Sequence, residues 1–391
     1  MTKPARCALI RYLYRKSGVL VFYQLGWGAA RLPLLTVAVM KLSLETPKDL
    51  VVGLDIGSHA VKVCQLKRSG KGFSIVTLGS TVLPEGAVED GTLNEPEVVA
   101  KAIADLLNNL KIKNRKVGIS ISGYSVIVKK VNLAVMEGSK LEEHILAEAE
   151  QYIPFDINDV YLDFQDLKTS SKEGDRTDVM LVAAKKEIVD DYLDMLRSIK
   201  LLPVVVDVDG FALENSYEHN YQTRENVGLV DIGAAKMNIN LISQGISVVA
   251  RDIIVGSRQL TEQIVNVLDI SHEDAESIKL GFLPADDHQK EIEDVFSTVC
   301  TQWVLEIKKA IDLYHSNHPD HPLNRLILSG GGSKVSGLID FLQQETEIPV
   351  ELFNPFLRIE GNPKKIDPTY LQGIGPEMAI ATGIALRTSE I

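Results

Sequence analysis

An apolar strand that ends in Asp-Ile-Gly occurs twice in this chain of 391 residues, and each copy begins the same strand–turn–strand–turn–strand pattern. The first copy starts with Leu50–Asp55 and the second with Val227–Asp231. A glycine directly after the strand lets the backbone approach an anion, and the amides of such a turn can cradle phosphate. Asp55 and Asp231 would supply the oxygen ligands that a hydrated Mg²⁺ prefers. The duplication therefore predicts an α/β protein whose two halves hold a metal-bound polyphosphate between them.

Three further features support a phosphate site. Lys62 lies on the strand after the first turn, where its ammonium could reach a phosphate, and Ser58 supplies a hydroxyl within the turn. The triplet Gly330-Gly331-Gly332 stands between a predicted strand and a predicted helix, which favours close approach of a flat ligand or its innermost phosphate. Taken singly, an Asp-Ile-Gly is usually a plain turn and a glycine triplet a connector. Their combination in this order predicts nucleotide binding.

The segment between the two copies predicts a small α+β unit. A helical pattern ends before Pro154, and Asp178–Ala184 is an apolar run typical of a buried strand. Ahead of this unit, Lys116–Ser122 and Tyr124–Val131 predict a hairpin around Gly123.

Composition excludes several classes of protein. With 41 basic and 53 acidic residues the net charge is −12, which argues against broad non-specific binding to nucleic acid. Cys7, Cys64 and Cys300 lie far apart without a C-x-x-C pair, which disfavours a disulfide framework and indicates a reducing cytoplasm. The P-loop pattern Gly-x-x-x-x-Gly-Lys-Ser is absent from the sequence, so a P-loop ATPase is also disfavoured.

The first forty residues differ from the rest. Basic residues precede the apolar stretch Gly18–Met40, an order that resembles a signal peptide or a membrane anchor. Gln24, Arg31 and Pro33 interrupt the stretch, and an arginine at mid-span costs at least a few kcal/mol on insertion scales. Met40 stands just ahead of the first strong strand. We expect a translation start placed too far upstream, with an amphipathic anchor and then a signal peptide as the alternatives.

Three motifs together resemble the phosphate-one, phosphate-two and adenosine motifs of the actin-like ATPase superfamily, namely Val52–Ser58, Val230–Gly233 and Leu328–Ser333. Within that superfamily the chain is similar, from Lys48 to Arg387, to the PilM family of type IV pilus assembly proteins. The segments that look like hallmarks of that family are Asp55–Val63, Gln151–Phe155, Asp207–Asn215 and Pro376–Arg387.

The resemblance implies an α/β, two-lobed actin-like ATPase fold, built from duplicated ribonuclease-H-like domains, with an α+β insert of the type found in the division protein FtsA. The implied divisions are an atypical extension over 1–47, a first lobe over 48–117, the insert over 118–204, a connecting helix over 205–224, and a second lobe over 225–391. The last helix is expected to pack back towards the first lobe.

The resemblance also assigns roles to the phosphate motifs. Asp55 and Asp231 would face Mg²⁺, directly or through water. The residues that would contact phosphates are Gly57, Ser58, Lys62 and Gly233, and those that would meet the adenosine side are Gly330, Gly331 and Gly332.

Three more residues receive implied roles. Glu276 and Lys279 match a superfamily Glu-x-x-Lys that touches ribose and adenine, with a solvated i,i+3 ion pair as the alternative. Asp209 stands at the first connecting helix, where superfamily members place a group that orients the attacking water; a helix N-cap is the alternative. Ala234 and Ala235 replace residues that are polar or glycine in many members, so we expect ATP hydrolysis to be slow or absent.

The implied function is an ATP- and Mg²⁺-binding, cytoplasmic component of the pilus assembly platform, peripheral at the inner membrane. It would dock the short cytoplasmic N-terminal tail of a PilN-like inner-membrane protein at the junction of the insert and the first lobe. Further expected partners are the pilus motor ATPases and a second copy of the chain, but not nucleic acid. An FtsA- or MreB-like membrane-associated filament protein stays open as an alternative. So does a sugar-kinase-like phosphotransferase, for which Asp209 is the candidate acid.

Overall fold

The computed structural model describes the backbone of residues 50–70, 72–136, 138–167, 176–362 and 366–387. The extension expected over 1–47 lies outside these residues. The strands in chain order are β1 (Val52–Ile56), β2 (Ala60–Ser69), β3 (Gly72–Val82), β4 (Val88–Glu89), β5 (Thr92–Leu93), β6 (Lys116–Ile121), β7 (Val126–Ala134), β8 (Val160–Asp166), β9 (Arg176–Lys185), β10 (Leu202–Val208), β11 (Val227–Ile232), β12 (Met237–Ser243), β13 (Ile246–Ile253), β14 (Arg325–Ser329), β15 (Val350–Leu352) and β16 (Ile359–Glu360). The helices are α1 (Pro96–Asn109), α2 (Gly138–Tyr152), α3 (Lys186–Ser198), α4 (Asp209–Tyr221), α5 (Arg258–Leu268), α6 (His272–Lys279), α7 (Gln289–Asn317), α8 (Leu338–Thr346), α9 (Pro368–Ile374) and α10 (Ala379–Ala385).

The two halves of the chain build two sheets that share a five-stranded topology, to which the first sheet adds β16 beside β3. The first sheet has the strand order β10-β6-β1-β2-β3-β16, and the second has the order β13-β12-β11-β14-β15. In each, an antiparallel meander of three strands is extended on the side of its first strand by two parallel strands, β6 and β10 or β14 and β15. The predicted two-lobed, duplicated α/β fold is therefore confirmed.

Each lobe has its own helix-covered core. Helix α1 begins with Pro96 in its first turn, and its Val99 and Ile103 pack with α3 against the first sheet. The long helix α7 buries Trp303 and Tyr314 against the second sheet. The spacing of apolar residues thus places one face of each helix on a sheet.

The insert is a separate three-stranded unit. Strands β7, β9 and β8 form an antiparallel sheet, and α2 packs on it to make a core of its own. The predicted hairpin around Gly123 is wrong, because Lys116–Ile121 pairs in parallel with β1 and β10 inside the first sheet. Gly123, at a φ of 93°, lets the chain turn out of that sheet into the insert. The three strands and the helix of this unit lie within 126–185, whereas the expected bounds of 118–204 also include most of β6, all of α3 and the first three residues of β10.

Helices α4 and α10 pack on each other where the two lobes meet. A β-carbon on Gly383 would stand 1.7 Å from the carbonyl oxygen of Ala212, so only glycine allows this contact. The helix expected over Pro376–Arg387 is a 3₁₀ turn at Gly375–Met378 followed by α10. Helix α10 also contacts β1, so the end of the chain returns to the first lobe.

Candidate functional site

The first Asp-Ile-Gly turn contains an ion pair. Lys62 on β2 lies opposite Asp55 on β1, and its Nζ donates to Asp55 Oδ2 at 3.0 Å. The amide of Gly57 donates to the carbonyl of Ala60 at 3.1 Å and closes the turn. A β-carbon on Gly57 would lie 3.7 Å from the Lys62 Nζ, so glycine keeps the ammonium uncovered on that side.

The second turn repeats this backbone but not its side chains. The amide of Gly233 donates to the carbonyl of Lys236 at 2.8 Å, just as Gly57 does in the first turn. The residue opposite Asp231 on β12 is Asn238 instead of a lysine. Asp231 accepts its hydrogen bond from the hydroxyl of Ser329, at the end of β14, at 2.7 Å. A neutral donor thus replaces the ammonium of the first turn.

The aspartates of the two turns share one electrostatic environment. Burial raises the pKa of Asp55, although the Lys62 charge opposes it. Burial raises the pKa of Asp231 to about 6, against the hydrogen bond from Ser329 and the charge of Lys62. The charges of Asp55 and Asp209 raise the pKa of Asp231 further. The charges of Asp55 and Asp209 therefore act on Asp231, and a bound cation would oppose that repulsion.

Asp209 is an anion held inside the site. It is the first residue of α4, but Val208 is the N-cap residue, so the N-cap alternative is wrong. Its Oδ1 accepts from the Ser120 hydroxyl at 2.5 Å, and its Oδ2 accepts from the Ser122 hydroxyl and from Lys236 Nζ, the latter at 3.0 Å. Burial acts to raise the pKa of Asp209, but Lys236 and the two hydroxyls outweigh it and lower that pKa.

The glycine triplet has two packed glycines and one open one. Gly330 has a φ of 80°, and a β-carbon there would stand 2.4 Å from the carbonyl oxygen of Ile232. A β-carbon on Gly332 would stand 2.5 Å from Ile232 Cγ2, whereas one on Gly331 would meet no described atom within 4 Å. The α-helix behind the triplet begins only at Leu338, after a 3₁₀ turn, so its N-terminus does not directly follow Gly332 as expected.

Glu276 and Lys279 form the predicted i,i+3 pair, but the lysine is buried. Lys279 Nζ lies 2.6 Å from Glu276 Oε2, and the hydroxyl of Thr261 links the two by accepting from Lys279 at 2.9 Å and donating to Glu276 at 2.8 Å. The side chain of Lys279 is only 3% exposed, and burial lowers its pKa. Burial also lowers the pKa of His59, against the charge of Glu276, so the first turn faces this pair.

Two contacts join the lobes beside the turns. Arg258, at the start of α5, donates from Nη2 to the carbonyl of Ser58 at 3.1 Å. The amide of Gly123 donates to Asp252 Oδ2 at 2.7 Å, and Asn238 donates to the other oxygen of Asp252 at 2.5 Å. Second-lobe residues thus contact both the first Asp-Ile-Gly turn and Gly123, where the chain leaves the first sheet for the insert.

These residues fit a nucleotide with a hydrated Mg²⁺. Asp55 and Asp231 each supply a carboxylate at the end of a strand, directly before the turn, and Gly331 leaves room for a ligand. Within the described part of the chain, no group of three or more His, Cys, Asp or Glu side chains could hold a metal ion. A two-carboxylate site suits Mg²⁺, which keeps several waters and is bound in part by the phosphates themselves.

Comparison with known proteins shows the family of this chain. The sequence profile of the family described as "Type IV pilus assembly protein PilM" matches residues 53–389. The chain belongs to the PilM family. A solved structure of a PilM-PilN type IV pilus biogenesis complex is 30% identical, with a TM-score of 0.78, and covers 88% of this chain and 100% of that chain.

More distant structures share the fold of this PilM-family chain. The ethanolamine utilization protein EutJ from Carboxydothermus hydrogenoformans is 15% identical with a TM-score of 0.52, over 87% of this chain and 90% of that chain. MreB5 of Spiroplasma citri bound to ADP is 10% identical with a TM-score of 0.50, over 85% and 94%. At these identities the likeness shows the actin-like fold alone.

The sequence patterns do not indicate five side chains that complete the site of this PilM-family chain, namely Ser120, Ser122, Lys236, Arg258 and Ser329. When the two Asp-Ile-Gly copies are aligned, Lys236 occupies the position that Ala60 has in the first copy. This difference between the copies is the sequence feature that could have indicated a role for the lysine. Ser329 directly precedes the glycine triplet on a predicted strand end. Nothing in the local sequence marks Arg258, which comes near the site through the packing of α5.

Proposed function

We propose that this PilM-family chain binds Mg²⁺ and ATP between its two Asp-Ile-Gly turns and serves as a docking platform of the type IV pilus machinery. The observation that carries the nucleotide half of this proposal is the pair of equivalent turns, each closed by a glycine amide, whose aspartates share one electrostatic environment. Asp55 and Asp231 would hold the hydrated metal, and Lys62 would contact a phosphate.

The amides that meet phosphate would be those after the two turn glycines. The amides of Gly57 and Gly233 donate the hydrogen bonds that close the turns, so they are not available to a ligand. The amides of Ser58 and Ala234 donate to no other residue in the described part of the chain, so they are available to an anion. Gly57 and Gly233 would then contribute by keeping the turns free of side chains.

The adenosine side would lie by the glycine triplet and helix α6. Gly331 is the member of the triplet with open space around it, while Gly330 and Gly332 keep the turn close to β11. Glu276 is 35% exposed at its side chain and is held by Lys279, so its carboxylate could accept from ribose hydroxyls.

The docking half of the proposal rests on a cavity of about 360 Å³ between the insert and the second lobe. Its walls include edge strands of two sheets, β7 of the insert and β13 of the second lobe, with the start of α4 between them. Its lining is largely apolar, with Val126, Val128, Phe211, Ala250 and Ile253 among the contributors. An extended apolar peptide could use both the pockets and the backbone of an edge strand.

Polar groups in this cavity support an extended backbone ligand. The side chain of Asn238 is buried, and its Oδ1 has no hydrogen-bond partner among the described residues. Tyr124 and Ile254 stand at the rim with 54% and 63% of their surface exposed. We propose that the cytoplasmic tail of a PilN-like inner-membrane protein binds here, which adds the second lobe to the junction predicted from the sequence.

Such docking would bring the chain to the inner membrane. The described residues include no helix that is long and apolar enough to cross a bilayer. The structure of the related PilM-PilN complex is an assembly of the proposed kind.

The test is calorimetry with the full chain and a synthetic peptide of the first twelve residues of the PilN-like protein. We expect roughly micromolar affinity, typical of short-segment recognition. Ile254→Asp should weaken peptide binding at least tenfold, because it places a charge at the apolar rim. Leu305→Asp, at a comparably exposed position on α7 (52%), is the matched control and should change nothing.

Hydrogen exchange should locate the peptide. Protection of β7 and β13 on peptide addition would support the cavity as the docking site. Equal affinities for the two variants, with protection confined to the Asp-Ile-Gly turns, would contradict it.

A further inference from the structure

Lys236 belongs to the second lobe but is held by groups of the first lobe and the connecting helix. Its Nζ donates to Asp209 Oδ2 at 3.0 Å and to the hydroxyl of Ser122. Burial acts to lower the pKa of Lys236, but Asp209 and Asp252 outweigh it and raise that pKa, and Tyr192 also faces the ammonium. The lysine is therefore a charged partner of Asp209.

The oxygens of Asp209 are already engaged. One oxygen accepts from Ser120, and the other accepts from Ser122 and from Lys236. A carboxylate that orients an attacking water must accept a hydrogen bond from that water, and a carboxylate neutralised by an ammonium is a weak base. In this arrangement Asp209 has little capacity left for a water.

Lys236 is not needed to build the turn in which it lies. Its carbonyl closes the second turn, and the equivalent carbonyl of the first turn belongs to Ala60. An alanine therefore performs the backbone role equally well. The hydrogen bonds of the Lys236 ammonium go to Asp209 and Ser122, and the charge of Asp252 also acts on it.

We propose that Lys236 is a positioning residue that holds Asp209 in an ion pair and thereby suppresses hydrolysis of the bound nucleoside triphosphate. The inference rests on the proposed binding of ATP and gives slow hydrolysis a cause beyond Ala234 and Ala235. It attributes part of the expected slow turnover to one side chain, Lys236, which can be replaced.

The suppressed step is attack of water on the terminal phosphate. A bond forms between the water oxygen and the terminal phosphorus, while the bond from that phosphorus to the bridging oxygen of ADP breaks. The products are ADP, inorganic phosphate and one proton. Asp209 freed from Lys236 could orient the water and accept that proton, whereas the paired carboxylate cannot.

The test replaces Lys236 in the full chain. Lys236→Thr removes the ammonium and leaves space for a water beside Asp209. We expect phosphate release at saturating ATP to become at least tenfold faster. The affinity for ATP, measured by calorimetry on the same samples, should change by less than tenfold. The double variant Lys236→Thr with Asp209→Asn should return to the wild-type rate.

A second readout needs no nucleotide. Urea unfolding of the wild type, the two single variants and the double variant forms a double-mutant cycle for the pair. We expect the equilibrium constants of unfolding to be non-additive by at least tenfold. If Lys236→Thr does not fold, Lys236→Gln keeps a donor without the charge and takes its place in both assays.

The outcomes separate this inference from the proposed function. Unchanged turnover in a variant that binds ATP would overturn the role of Lys236, as would a gain that persists in the double variant. Additive unfolding would overturn the ion pair itself. Failure of the wild type to bind ATP would contradict the proposed function, and this inference with it.

Discussion

The two Asp-Ile-Gly turns have the same backbone and different chemistry. In both, a glycine amide closes the turn on the carbonyl three residues later. Opposite Asp55 stands Lys62, whereas opposite Asp231 stands Asn238. The second turn has its lysine at 236 instead, from where it reaches Asp209.

The serines at the ends of the neighbouring strands differ in the same way. Ser329, at the end of β14, donates to the aspartate of its own half. Ser120, near the end of β6, donates to Asp209. In the first half, Lys62 pairs with Asp55 within one hairpin. In the second half, Lys236 pairs with Asp209 of the connecting helix. The two turns therefore share their backbone geometry, but their lysines pair with aspartates at different places, one within the turn and one on the connecting helix.

The largest expected effect concerns what the two turns share. Asp55→Asn and Asp231→Asn should each weaken binding of Mg-ATP at least 100-fold, about 3 kcal/mol, because each removes a carboxylate from the proposed metal site. Calorimetry with and without Mg²⁺ checks this. Asp312→Asn, at an exposed position on α7, is the control. Unchanged affinity in both aspartate variants would remove the metal site from the account.

The same two substitutions should have unequal effects on the stability of the empty protein. Asp55→Asn leaves the largely buried Lys62 without its partner and should cost roughly 3 kcal/mol of unfolding free energy. Asp231→Asn leaves no charge unpaired, and the wild-type carboxylate is destabilised by burial, so this variant should be as stable as the wild type or more so at pH 7. Urea unfolding measures both values. Equal losses would mean that the turns are chemically alike.

The pH dependence of stability should sharpen the contrast. The pKa of Asp231 in the folded protein, about 6, lies above its ordinary value in the unfolded chain. At pH values between these two pKa values, the folded state therefore binds more protons than the unfolded state. Stability contributed by this group is therefore present below about pH 4 and is lost as pH rises to about 6, by up to about 3 kcal/mol. The difference in unfolding free energy between wild type and Asp231→Asn should follow that course. A difference independent of pH would contradict the raised pKa.

A smaller effect separates the two glycines that directly follow β14, Gly330 and Gly331. Gly330→Ala should destabilise the fold by roughly 2 kcal/mol, since it combines a positive φ with a contact too close to the Ile232 carbonyl. Gly331→Ala, which meets open space, should leave stability unchanged and weaken ATP binding several-fold. Urea unfolding and calorimetry on the two variants test this. The reverse pattern would place the ligand elsewhere.

Much of the fold follows from the sequence because each copy of the repeated meander is formed by neighbouring segments of the chain. The apolar run, the turn glycine and the alternating strand fix each meander, and both copies are confirmed by the two sheets. The hairpin around Gly123 failed as a prediction because hydrogen-bonding partners of β6 lie far away in the chain, on β1 and β10. A pattern of alternating residues does not contain that pairing.

The site was predictable only in part, for a related reason. Asp55, Asp231 and the glycine triplet lie in recognisable turns, but Ser120, Ser122 and Lys236 matter because three separate elements meet at Asp209. Side chains that come together only through packing have no characteristic spacing in the sequence by which they could be recognised. The comparison of the two copies is the exception, since it marks Lys236 as a departure from its twin.

The most direct test of the account is a crystal structure of the full chain with a non-hydrolysable ATP analogue and Mn²⁺ in place of Mg²⁺. Mn²⁺ accepts the same oxygen ligands and is located by its anomalous scattering. We predict one peak between Asp55 and Asp231, with the phosphates at the two turns and the nucleoside beside Gly331. A nucleotide bound elsewhere, or a metal that contacts neither aspartate, would contradict the central claim that the duplicated turns form one Mg-nucleotide site.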